Sequence, residues 1–91
     1  MDENTVFEAI EKLALSLLSR EDMQERGLVI KLIKVATGRN ALVRIYLDKE
    51  NGVSIGDCTY FHKEFSVMLD VENIMIGPYR LEVSSPGIDT K

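Results

Sequence analysis

Cys58 and His62 stand four residues apart, the spacing that brings a thiol and an imidazole to one side of a helix. Such a pair supports two chemistries, a shared metal ion or a thiolate activated by its neighbouring base. Neither is expected here. Two ligands do not close a zinc site, and the chain has no other cysteine or histidine to complete one. A reactive thiolate also needs an electropositive, partly open site, whereas Cys58 falls on an apolar stripe. Asp48 and Asp57 bracket a turn and form the other pair with chemical reach, as acid and base. Local pattern gives each a structural task instead, Asp48 at the end of a strand and Asp57 in the first turn of a helix. No phosphate-cradling glycine loop and no nucleophile elbow occurs in the sequence. No catalytic residue, metal or cofactor is expected, and the chain reads as a binding domain.

The elements that position these residues follow from two periods. Ala41, Val43, Ile45 and Leu47 alternate with Leu42, Arg44, Tyr46 and Asp48, the two-residue repeat of a strand with one face on a core and the Arg44 side wetter. Lys49 to Gly52 breaks the run, with Asn-Gly supplying the positive φ of a tight reversal. Ser54 and Asp57 have capping-box spacing, and Cys58, Phe61, Phe65, Met68 and Leu69 then recur as the stripe of an amphipathic helix.

Upstream, Thr5 and Glu8 also have capping-box spacing, and Val6, Phe7, Ile10, Leu13, Ala14, Leu17 and Leu18 predict a helix over 5–19. Ser19 to Arg26 is either a frayed extension of it or a loop, and Gly27 ends it in both cases. Leu28 to Ala36 is the first strand. Leu28 and Ile30 share one phase, Ile33 and Val35 the other, so either a bulge near Lys31-Leu32 restores a single core face or both faces are partly covered. Thr37 to Asn40 closes a hairpin with the second strand. Asp70 to Pro78 connects onward, with Ile74, Met75 and Ile76 expected to pack as a lid. Tyr79, Leu81 and Val83 mark a third strand, which Pro86 stops. The fold class is α+β in the order α-β-β-α-β, a three-stranded sheet covered by two helices, with a right-handed crossover into the third strand. The pattern leaves the strand order open.

Charge is partitioned along the chain. Residues 1–26 carry −4, residues 27–47 carry +4 from Lys31, Lys34, Arg39 and Arg44, residues 48–76 carry −4, and the last fifteen balance. With a net charge of −4 the chain is a poor general binder of nucleic acid, and a basic protein partner fits its bulk charge better, while the hairpin bases remain able to touch a phosphate. A module of KH-like topology is the alternative, but its clamp needs a Gly-x-x-Gly loop, and Gly52 and Gly56 enclose three residues. No stretch is long and apolar enough for a membrane span, the N-terminus lacks a signal-peptide pattern, and the single cysteine agrees with a reducing compartment. A cytoplasmic monomer without a membrane partner is expected.

Several segments go beyond pattern. Ile45-Tyr46-Leu47-Asp48, Gly52-Val53-Ser54-Ile55, Asp57-Cys58, Leu69-Asp70-Val71-Glu72 and above all Leu81-Glu82-Val83-Ser84-Ser85-Pro86-Gly87-Ile88-Asp89 resemble the N-terminal domain of the ribosome maturation factor RimP family, over roughly residues 27–89. The resemblance implies a non-catalytic role: binding the small (30S) ribosomal subunit during assembly, through a basic ribosomal protein near the decoding centre with adjacent rRNA. Gly56 stands where the family commonly has an acid, and His62-Lys63 where it has small or basic residues. The family also continues from the Ser-Ser-Pro-Gly-Ile-Asp run into a small β-barrel domain, so residues 1–91 are expected to hold the N-terminal domain alone. Candidate partner-binding residues are Lys34, Arg39 and Arg44 on the hairpin and Ser84, Ser85, Pro86, Gly87 and Asp89 in the exit segment.

Overall fold

Two strand pairings, one antiparallel and one parallel, decide where the side chains of the sheet point. In a computed structural model describing residues 2–86, the elements run α1 (Glu3–Leu18), α2 (Glu21–Arg26), β1 (Val29–Ala36), β2 (Leu42–Asp48), α3 (Ile55–Glu72) and β3 (Arg80–Ser84). The sheet order is β1-β2-β3, with β1 antiparallel and β3 parallel to the central β2. The α+β class and the α-β-β-α-β order are those the sequence predicts, with one further short helix.

That extra helix resolves the charged stretch after α1. Ser19 caps α1 still in helical conformation, Arg20 leaves the helical path at φ −68° and ψ 150°, and α2 then runs for six residues before Gly27. Gly27 sits at φ 73°, the left-handed conformation that stops a helix and favours a residue without Cβ. The start of α1 differs from the capping box expected at Thr5. Asp2 is the N-cap, its carboxylate accepting from the Thr5 N–H at 2.8 Å, so the helix begins two residues earlier than predicted.

In β1 the pairing register shifts between Ile30 and Leu32, which leaves Lys31 as the extra residue of a bulge. The slip reverses the phase as expected: Leu28 and Ile33 are buried, and Ile30 and Val35 pack against the core. On β2, Val43, Ile45 and Leu47 are fully buried and Leu42, Arg44, Tyr46 and Asp48 are half-buried. The capping box at Ser54 is present in full, with each of Ser54 and Asp57 accepting from the other's backbone N–H at 3.0 Å.

The core joins one face of the sheet to α1 and α3. Ile10, Ala14 and Leu17 from α1 meet Phe61, Phe65 and Leu69 from α3 over Val43, Ile45 and Leu47, all essentially without exposure. The rings of Phe61 and Phe65 lie 5.4 Å apart at 34°, a tilted pair of the kind aromatic quadrupoles favour. α3 ends at Asn73, which takes the left-handed conformation at φ 53°. Of the three residues expected to cover the core from the following loop, Met75 is buried and Ile74 partly so, but Ile76 is 84% exposed. The loop turns at Gly77, whose φ is 79°, and this carries Ile76 outward as the chain swings to enter β3.

Candidate functional site

The residues with chemical reach are separated by the fold. Cys58 faces the core, and burial, followed by the nearby Asp57 charge, pushes its thiol above the ordinary value. His62, on the exposed side of α3, lies 2.9 Å from the Leu81 carbonyl. A carbonyl only accepts, so His62 Nε2 carries the proton and covers part of the β3 edge. The two side chains do not converge. Among the described residues no group of three or more histidines, cysteines and carboxylates is placed to hold a metal ion.

Asp48 and Asp57 are likewise not a working pair, though Lys49 connects them. Its N–H donates to Asp48 Oδ1 at 2.9 Å, and its ammonium donates to Asp57 Oδ2 at 2.9 Å. Asp57 is 3% exposed and also receives Arg26 Nη1 on Oδ1 at 2.8 Å. Burial raises the carboxyl pKa, but the Ser54 N–H, the Lys49 ammonium and Arg26 together outweigh it and hold Asp57 well below the usual range. The Arg26 guanidinium stacks 4.1 Å from the centre of the Tyr60 ring, and the Tyr60 hydroxyl donates to Asp22. Arg20 completes the cluster by bridging Asp22 at 2.7 Å and Glu64 at 2.9 Å. Arg20 first, and Tyr60 second, lower the Asp22 carboxyl to about 2. This network fastens α2 to α3, a structural duty that consumes Arg20, Arg26 and Lys49.

The sheet face turned away from the helices is organised differently. Register aligns Leu32, Tyr46 and Ser84 in one row, Lys34, Arg44 and Glu82 in the next, and Ala36, Leu42 and Arg80 in a third. Arg44 is held by Glu82, whose Oε1 accepts from Nε at 2.9 Å and Nη2 at 2.6 Å. That hydrogen bond, followed by the Tyr46 hydroxyl, raises the Arg44 pKa, and Arg44 in turn lowers Glu82. Arg80 pairs with the same carboxylate. Among the described residues Lys34 and Arg39 are exposed and make no ion pair, so the three hairpin candidates are not equivalent. In the exit segment Ser84 lies beside Tyr46 in the ladder, Ser85 is 7% exposed and Pro86 is exposed. Gly87 and Asp89 lie outside the described residues.

Charge therefore segregates by layer. The sheet and its hairpin turn, residues 29–48 and 80–84, carry five bases against Asp48 and Glu82, a net of +3. The helices and remaining turns of residues 2–79 carry twelve acids against five bases, a net of −7. Sequence reasoning found the linear partition and put Tyr46 on the wetter side of its strand with Arg44, but read Tyr46, Phe61 and Tyr79 as scattered aromatics and did not place Leu32 beside Tyr46, which only the strand register does.

A mixed three-stranded sheet covered by helices on one face and bare on the other defines a small α+β domain. The model of the RimP N-terminal domain matches residues 20–89, and the chain belongs to that family of ribosome maturation factors. The match begins after α1, so the first helix is the part of the core that lies outside it. Among the described residues no helix is long and apolar enough to cross a membrane.

Proposed function

We propose that this domain acts in maturation of the small (30S) ribosomal subunit as a non-catalytic docking module, seated on a basic ribosomal protein near the decoding centre with rRNA alongside. The family match over residues 20–89 is the observation that carries the reading. The layered charge supports it, because a helical layer of −7 offers a basic protein a complementary surface. Lys34 and Arg39, with Ser84 to Pro86 at the exit of β3, lie outside the helical layer and are the proposed contacts to the rRNA alongside. No reacting group is needed for such a role, only shape and charge.

The test is retention from bacterial lysate treated with nuclease, using the chain as bait and mass spectrometry to identify what is held. The reading expects a basic small-subunit protein to be retained after RNA is removed. Retention of none overturns protein docking.

A further inference from the structure

The bare sheet face differs from the rest of the surface in two ways that point to one ligand. It belongs to the only positive layer among the described residues, so a polyanion meets repulsion from the −7 helical side and attraction from the +3 sheet side. It also presents an aromatic ring. Tyr46 sits half-buried on the central strand, with Leu32 and Ser84 beside it in the same row and Lys34 in the next.

We propose that this face binds an unpaired RNA strand, with a base stacked on Tyr46 and the flanking phosphates neutralised by Lys34 and Arg39. Every nucleobase has a flat face, so one aromatic ring on an open sheet accepts bases without regard to sequence. A duplex hides those faces and is recognised across its minor groove, which suits a flat sheet poorly. An acidic protein would satisfy the charges but would leave the ring without a specific role. Arg44 orders the surface instead of supplying a free charge, because Glu82 holds it. At the hairpin end the face runs into an open groove of about 420 Å³ between Arg39 and Arg80, with Leu42 and Tyr79 on its walls, which continues the positive track.

This inference extends the reading above by giving the rRNA contact a surface. Its probe is free RNA, so its failure leaves protein docking standing. The experiment titrates the full chain into a fluorescein-labelled oligouridylate of about ten nucleotides, near the site sizes of single-strand binders, and follows anisotropy at about 50 mM salt. Tyr46→Ala is expected to weaken binding by roughly 5- to 150-fold, the span that one stacked base supplies, while Tyr46→Phe retains it. Lys34→Gln is expected to weaken it and to reduce the salt slope by about 1. Circular dichroism melts check that each variant is folded. No binding by the parent chain, or equal binding by folded Tyr46→Ala and Tyr46→Phe, overturns the proposal. If these variants lose affinity for small subunits while the parent ignores free RNA, the face is a protein interface and the proposal is likewise overturned.

Discussion

Nη2 of Arg44 lies 2.6 Å from Oε1 of Glu82, so a base that the sequence offers to a partner is already answered by the neighbouring strand. Removing its charge leaves Glu82 paired with Arg80, and removing Glu82 releases both arginines. Association with immature small subunits should therefore fall less for Arg44→Gln than for Lys34→Gln, and should tighten for Glu82→Gln. Quantitative co-sedimentation of the three variants checks the order, and equal losses at Arg44 and Lys34 would contradict it.

Asp57 ties the start of α3 to Arg26 and Lys49 from inside the protein. Asp57→Ala leaves two cations without a partner and opens the capping box, and is expected to cost about 3 kcal/mol in urea unfolding. Ser54→Ala removes only the hydroxyl acceptor and is expected to cost about 1 kcal/mol.

The same carboxylate sets the acid response. Its folded pKa lies below the unfolded value near 3.8, so the unfolded chain binds the proton first and stability is lost as pH falls through that range. Asp22, held at about 2, acts in the same direction. Stability should be at its plateau above about pH 5 and decline below it. Asp57→Asn should start less stable and decline more gently, which urea midpoints across this range measure.

Cys58 is buried and its thiol is pushed up, so it should stay protonated at neutral pH and react slowly with a thiol-specific disulfide reagent. Reaction should become rapid on addition of guanidinium. Fast labelling of the folded protein would place the residue outside the core.

Gly27 occupies φ 73° with no atom near the position a Cβ would take, so the strain of Gly27→Ala is conformational alone. About 1 kcal/mol of destabilisation is expected. Phe61→Ala, which opens a hole between the helices and the sheet, is expected to cost about 3–5 kcal/mol by thermal or urea unfolding.

Much of this fold was legible because local periods and caps speak directly to burial. The phase slip between Ile30 and Ile33 located the bulge, and Ser54 with Asp57 located the start of α3. The first helix misled because two candidate caps lie within one turn. Thr5 has the better box spacing, but Asp2 precedes it and reaches its N–H, and the intervening residues are exposed and carry no periodic signal. Ile76 misled because an apolar residue in a loop obeys no period.

Strand order and ion pairs were not legible, since both depend on distant packing. The parallel placement of β3 beside β2 follows from where α3 returns the chain, and Arg26 meets Asp57 across 31 positions of sequence. The site was half legible for the same reason. The hairpin bases could be named from the sequence, but Glu82 was needed to separate Arg44 from Lys34 and Arg39, and it arrives only through the sheet.

Docking on the maturing small subunit is tested most directly by co-sedimentation of the purified chain with immature and mature small subunits. Saturable association with immature subunits is expected, weakening roughly ten-fold, about 1.4 kcal/mol, when Lys34→Glu and Arg39→Glu are combined. Absence of association with immature subunits would contradict it.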